Sequence, residues 1–455
     1  MKKFPASLSR LLASAGVLFL LSPMWANANG ETVLPLSLNQ ARELAVRQSV
    51  MTRRARLDVE AADKQARETL ATGLPQVNAS VGYNYYLDIP TSLIPAEFLG
   101  GQPGELAEIR FGTEQTLTAT ASVNQLVFSG EYLVGLRAAR IYRDLAAKNL
   151  ERTALEVKNM VTETYLLALM AKENLGIVSV NLSNMQQTLH ETRQIMEAGF
   201  TDPINVDQLQ LAVANMQHTL YALERQKKLT INLLKFQSGI PLDTEILLTD
   251  ELEPLLTSLV LEAARAETFD PARHIDYQVM ASQENFNAML LRREQSLFLP
   301  SVSASFTRQE MAMRNEFSFF QAGKSWFPST FFGLNLNIPI FSSGMRSSRV
   351  RQARIELEKA RLAREETAES LHLQMQEARD AFATALDQYQ NQQGNLELAR
   401  RIFQRTRIMH REGLATSLEL TQANDQLLTT QSQYLQAMFD LLHAKNNLDK
   451  ALGRP

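Results

Sequence analysis

Two stretches without a proline, Glu131–Ala198 and Met345–Glu412, constrain this chain more than any other feature. Both are rich in Ala, Leu, Gln, Glu and Arg, side chains that give up little freedom in a helix. Each opens after a turn, Phe128 to Gly130 or Phe341 to Gly344, and closes at a glycine, Gly199 or Gly413. Glycine most readily takes the left-handed conformation that ends a helix. At 1.5 Å per residue, about 68 residues of helix form a rod on the order of 100 Å long. Globular helices average roughly 11–12 residues, so a rod of this length belongs to a tube, a stalk or a spacer.

The two rods are copies. A constant spacing of 214 links Gly130 to Gly344, Gly199 to Gly413, Gly239 to Gly453 and Pro241 to Pro455. Upstream, Leu74-Pro75-Gln76-Val77-Asn78-Ala79-Ser80 is echoed by Leu299-Pro300-Ser301-Val302-Ser303-Ala304-Ser305. The expected plan is a signal peptide over 1–28, a first repeat over 29–241, a linker over 242–270 and a second repeat over 271–455. In the first repeat a capping box at Ser37 to Gln40 opens a helical run to Ala71. Strands over 76–87 and 114–128 flank a loop rich in proline and glycine, and helices follow over 131–198 and 203–238. In the second, Asp270-Pro271 has the N-cap and first-turn pattern of a helix start. Strands over 300–308 and 331–341 and helices over 345–412 and 417–452 complete the copy.

The leader has Lys2 and Lys3, an apolar run from Leu11 to Leu21, and Ala26-Asn27-Ala28 as a small-x-small cleavage site, the pattern of an exported protein. That apolar run is shorter than the roughly 20 residues of a spanning helix. The chain has no cysteine, which excludes disulfides, thiolate metal sites and lipid attachment at a cysteine. Net charge is −3, and −6 without Lys2, Lys3 and Arg10 of the leader, so there is no basic footprint for nucleic acid.

The strands alternate. Val77, Ala79, Val81, Tyr83 and Tyr85 share one face, as do Leu117, Ala119, Ala121 and Val123; Val302, Ala304 and Phe306; and Phe332, Leu334, Leu336 and Ile338. Small polar residues fill the opposite faces. Such strands suit a membrane wall with lipid on one side and water on the other, and the same alternation suits a soluble sheet lying on a core. Strand length and the export signal favour the membrane. Four strands leave two bare edges, which lipid does not tolerate, so several copies must join; two would give eight strands and three would give twelve. Aromatic residues cluster at the loop ends, among them Tyr83, Phe317, Phe319, Phe320 and Trp326. The expectation is a girdle at the lipid headgroups.

This order of elements, duplicated and joined to the Leu-Pro-x-Val strand starts, resembles the TolC family of outer-membrane efflux and secretion channels across essentially the whole mature chain. The resemblance implies a mainly helical fold with membrane strands. It implies a homotrimer whose 12-stranded β-barrel continues into a periplasmic α-helical barrel. It also implies a passive exit duct serving a tripartite efflux or type I secretion system. The partners would be a periplasmic adaptor protein, an inner-membrane pump of RND or ABC type, and outer-membrane lipid. The bare residues give a helix hairpin at each turn, with Asp202-Pro203 starting one second helix and the Thr416 and Glu419 capping box the other. Resemblance adds that Ala198, Gly199, Phe200 and Thr201, with Gly413, Leu414 and Thr416, form tips that meet an adaptor. It further places Asn205, His410, Glu419 and Gln422 at a periplasmic constriction. Gln422 stands where a second acid is often found, His410 where a tyrosine can be, Ala415 where an arginine can be, and Asn205 where an aspartate can be. Three Glu419 carboxylates would crowd one another and raise each pKa; the same residue also reads as an ordinary helix cap.

Catalysis has no visible seat. The six histidines, His190, His218, His274, His372, His410 and His443, lack metal-ligand spacing, and there is no P-loop, GxSxG or dinucleotide fingerprint. No cofactor or metal is expected. The competing reading is a non-conducting coiled-coil scaffold of the outer membrane or periplasm, which would have no use for polar-lined strands.

Overall fold

The computed structural model describes residues 33–263 and 269–454; the expected signal peptide lies outside them. Helices dominate. Strand β1 (Leu34–Leu36) leads to α1 (Leu38–Gln48) and α2 (Val50–Ala71), then β2 (Gln76–Tyr85), β3 (Thr91–Pro95), β4 (Leu106–Arg110) and β5 (Gln115–Phe128). The 68-residue α3 (Gly130–Glu197) and α4 (Pro203–Ser238) follow. After β6 (Ile246–Leu248) and α5 (Leu252–Ala263) comes the second set: α6 (Ile275–Ser296), β7 (Ser301–Arg314), β8 (Phe327–Asn337), α7 (Met345–Arg411) and α8 (Ser417–Ala451).

The main core sits at the middle of the long helices. On α3, Val157, Val161, Tyr165, Leu166 and Leu169 are buried at helical spacing. They meet Leu38, Ala41 and Ala45 of α1, Leu234 of α4, Leu435, Leu441 and Leu442 of α8, and Leu252 and Leu256 of α5. Around this level β1 and β6 pair in parallel, Leu34 with Ile246 and Leu36 with Leu248, across more than 200 residues of chain. Asp250 accepts the Leu38 N–H at 2.7 Å, and the Tyr165 hydroxyl donates to the Leu36 carbonyl (2.8 Å) or to Asp250 (3.0 Å). Burial first, then Asp250, pushes the Tyr165 hydroxyl pKa far up, so it stays a donor. Strand β1 and the first turn of α1 are thereby fastened to the centre of the long helix.

The main sheet is antiparallel in the order β2-β5-β7-β8. Val77 lies opposite Val123, Val123 opposite Phe306, and Phe306 opposite Phe332, so the apolar positions of all four strands share one face. A bulge interrupts the β5–β7 ladder between Leu126 and Phe128. Among the described residues the outer strands have one neighbour each. Every residue of β2 is exposed, and so is all of β8 except Gly333.

Several sequence expectations need correction. The run to Ala71 is two helices, because Ser49 takes an extended conformation (ψ 144°) and its buried hydroxyl accepts the Thr52 N–H that opens α2. Arg56 reaches back to the carbonyls of Val46 and Arg47, satisfying acceptors that the end of α1 leaves open. Asp270-Pro271 starts only a short 3-10 turn, Pro271–Arg273. The cap of α6 is His274, whose Nδ1 accepts the Asp276 N–H (3.2 Å) while Nε2–H donates to the Lys450 carbonyl (3.0 Å). The proline- and glycine-rich loop contains the β3–β4 hairpin, and the linker contains β6 and α5. Strand β7 runs on to Arg314 because β5 offers partners as far as Gln115. Strand β8 is displaced toward the loop and stops at Asn337 rather than continuing to 341. Phe319 belongs to no girdle. It is 1 % exposed, packed with Leu117, Ala312 and Trp326, and the rings of Tyr83 and Phe317 stand nearly perpendicular to it at centroid distances of 6.0 and 5.5 Å.

Candidate functional site

The far ends of the two helix pairs are twin hairpins. In the first, Gly199 (φ +81°) reverses the chain, the Phe200 N–H donates to the Ile195 carbonyl (3.0 Å), and Asp202 accepts from the Ile204 N–H (2.9 Å). In the second, Gly413 (φ +75°) does the same, the Leu414 N–H donates to the Met409 carbonyl (2.8 Å), and Thr416 caps α8. Both stops place a positive-φ glycine where a side chain would be strained. Past each glycine a large apolar side chain faces water: Phe200 is 84 % exposed and Leu414 74 %. Ala198 is exposed and Thr201 half-buried.

Three of the four constriction candidates, Asn205, His410 and Glu419, are bonded within their own hairpins. Asn205 Nδ2 donates to Thr201 Oγ1 (3.1 Å), and His410 Nε2 lies 3.3 Å from Ser417 Oγ. The Glu419 carboxylate accepts the Thr416 N–H (2.7 Å) and hydroxyl (3.0 Å), and Thr416 Oγ1 accepts the Glu419 N–H in return (3.2 Å). These bonds to Thr416 hold the Glu419 carboxyl below its ordinary range, opposite to what crowding by like charges would do. Gln422 is exposed one turn further along α8. Burial lowers the His410 pKa and Glu191 of α3 partly opposes it. The two residues line a cleft of about 270 Å³ between the ends of α3 and α7, while direct contact between the hairpins is made by Asn181 with Gln431 and by Leu428 against Leu182 and Leu209.

Asp425 escaped the sequence reading. It continues the Glu419, Gln422 spacing of three along α8 and lines a groove of about 460 Å³ with Gln208 and Asn215 of α4. The groove walls take water from the Asp425 carboxyl and raise its pKa. Extending the spacing by one step would have found it.

Among the described residues no group of three His, Asp or Glu side chains is placed to hold a metal, and no helix is long and apolar enough to cross a membrane. The model of the outer membrane efflux protein family matches residues 42–239 and 278–454, most of both repeats. The chain belongs to that family. This outer membrane efflux protein is 25 % identical to the pyoverdine export outer membrane protein OpmQ of Pseudomonas putida, over 75 % of this chain and 72 % of the relative. It is 23 % identical to the probable outer membrane lipoprotein SilC of Salmonella typhimurium, over 92 % and 84 %. Its fold matches the solved structure of CusC (TM-score 0.71, 17 % identity, 92 % of each chain). It also matches the CmeC outer membrane channel of Campylobacter jejuni (TM-score 0.71, 16 % identity, 91 % and 85 % covered). The protein is an efflux channel component of the outer membrane, and its family and structural neighbours are channel proteins rather than enzymes.

Proposed function

We propose that three copies of this chain join edge to edge in the outer membrane. They close a twelve-stranded barrel that continues into a periplasmic tube of long helices. The observation that carries this reading is the pair of unpartnered sheet edges, β2 and β8, with exposed apolar side chains such as Val77, Val81, Leu334 and Leu336. In lipid those backbone groups have no partner but another strand. Two copies would give eight strands, a barrel whose interior side chains fill; three leave room for the polar face to line water.

No nucleotide motif is present, so export would be powered by an inner-membrane pump, of RND or ABC type, reached through a periplasmic adaptor. The tips at Ala198, Gly199, Phe200 and Thr201 and at Gly413, Leu414 and Thr416 would take the adaptor, with Phe200 and Leu414 as apolar contacts. Asn205, His410, Glu419 and Gln422 would ring the entrance. Adaptor contact would open it by favouring the arrangement in which the hairpins move apart. Purified protein in a planar lipid bilayer is expected to give discrete conductance steps, with weaker cation preference after Glu419→Ala. Inserted protein that never conducts would refute the duct and leave the scaffold.

A further inference from the structure

The duplication says how the edges meet. It makes β2 and β7 the first strands of the two units and β5 and β8 the second. Leu74-Pro75 corresponds to Leu299-Pro300, an offset of 225, and Phe128 to Phe341, an offset of 213. The two hairpins obey this correspondence throughout. Gln76 opposite Asn124 becomes Ser301 opposite Asn337; Val81 opposite Ala119 becomes Phe306 opposite Phe332; Tyr85 opposite Gln115 becomes Glu310 opposite Pro328.

The remaining ladder, β5 with β7, joins the second strand of one unit to the first strand of the other. Its counterpart would join β8 to β2, which lie at opposite edges of one sheet. We infer that β8 of one copy pairs antiparallel with β2 of the next in the register that β5 and β7 adopt. Leu336 then lies opposite Val81, Leu334 opposite Tyr83, Phe332 opposite Tyr85, and Asn335 opposite Gly82. The inference rests on the trimer reading and adds the register to it.

Two independent features agree. Apolar residues meet apolar ones on one face, whereas a slip of one residue would send one strand's whole apolar set to the wrong side. The β5–β7 bulge between Leu126 and Phe128 maps onto Pro339–Phe341. A proline, which cannot donate to a ladder, is accepted at a bulge. Within one chain β8 ends at Asn337 and leaves Ile338, Ile340 and Phe341 exposed at 57, 91 and 84 %, whereas its twin β5 continues to Phe128 against β7. Pairing with β2 of the neighbour would extend β8 over those residues.

The absence of cysteine makes the register directly readable. Residues directly opposite in an antiparallel pair have Cα atoms about 4.5–5.5 Å apart, within disulfide reach, and those displaced by two are roughly 7–8 Å apart, beyond it. The variants are Leu336→Cys with Val81→Cys, and Asn335→Cys with Gly82→Cys. They take one pair from each face because the two faces hold the two kinds of ladder pair. Mild oxidation in membranes is expected to shift the band on a denaturing gel from monomer to covalent trimer, reversed by reductant. Leu336→Cys with Ala79→Cys or with Tyr83→Cys should stay monomeric. Preferential crosslinking of a displaced pair, or a trimer by native mass in which neither direct pair crosslinks, would overturn the register and leave the assembly standing. A native mass of one chain would overturn the assembly itself.

Discussion

Replacing Tyr165 by phenylalanine removes one hydroxyl from a side chain that is 0 % exposed. That hydroxyl has a single proton to share between the Leu36 carbonyl and Asp250, 2.8 and 3.0 Å away. Neither acceptor is orphaned by its loss: Leu36 keeps the Thr249 N–H (3.2 Å) and Asp250 keeps the Leu38 N–H (2.7 Å). The cost is therefore that of one net hydrogen bond, about 1–1.5 kcal/mol, close to a tenfold change in a local equilibrium. Hydrogen exchange followed by mass spectrometry at neutral pH should speed up about tenfold in β1 and α1, the segments that the hydroxyl fastens. The tip hairpins should be unchanged. The folded-state pKa of Tyr165 is raised above 10.0, so the hydroxyl's contribution is fully present below pH 10 and is lost above it. The advantage of tyrosine over phenylalanine, read from urea-induced loss of helix, should then fall by about 1.4 kcal/mol per pH unit and vanish near pH 11. Unaltered exchange in β1 and α1, or an advantage that persists at pH 11, would refute the reasoning.

Gly239→Ala should destabilise more than Gly199→Ala. Both positions have positive φ, costing about 1–2 kcal/mol for an L side chain, but at Gly239 a Cβ would also fall 2.7 Å from the Gln48 carbonyl oxygen, while Gly199 faces open space; thermal inactivation ranks the two. Ser49→Ala removes the cap of α2 and should cost about 1–2 kcal/mol, seen as faster exchange over the first turn of that helix. For Glu419, a folded-state pKa below 4.5 means the cap is intact above that value and is lost as pH falls through the lower one. An NMR titration of the Thr416 amide should therefore show its inflection below 4.5, and an inflection above it would mean that the three carboxylates crowd one another instead. Phe200→Ala exposes no new surface and should leave stability within about 0.5 kcal/mol of wild type, measured by the same inactivation assay.

The rods, their glycine stops and the doubled plan were legible because each rests on local chemistry repeated many times. What the sequence hid depends on distant partners. Leu34–Leu36 is three residues long and becomes a strand only because Ile246–Leu248 lies beside it. Ser49 looks like any polar residue in a helical run until the end of α4, at Gly239, is seen pressed against Gln48. His274 caps α6 in place of the textually better Asp270 because the Lys450 carbonyl fixes its ring. At the tips the turn chemistry was readable, and the capping role of Glu419 was visible as one of two competing patterns. The spacing of three that runs through Glu419 and Gln422 reaches Asp425, but the α4 groove that dries its carboxyl exists only in the fold.

The fastening of α3 at Tyr165 also sets a mechanical ratio. From Tyr165 to the end of the helix at Glu197 the arm, which carries α4 packed against it, is about 32 residues, or roughly 48 Å. A pivot of ten degrees at that fulcrum sweeps Phe200 through about 8 Å. Leverage of that kind converts a slight rearrangement around a tightly packed waist into a displacement wider than a hydrated ion.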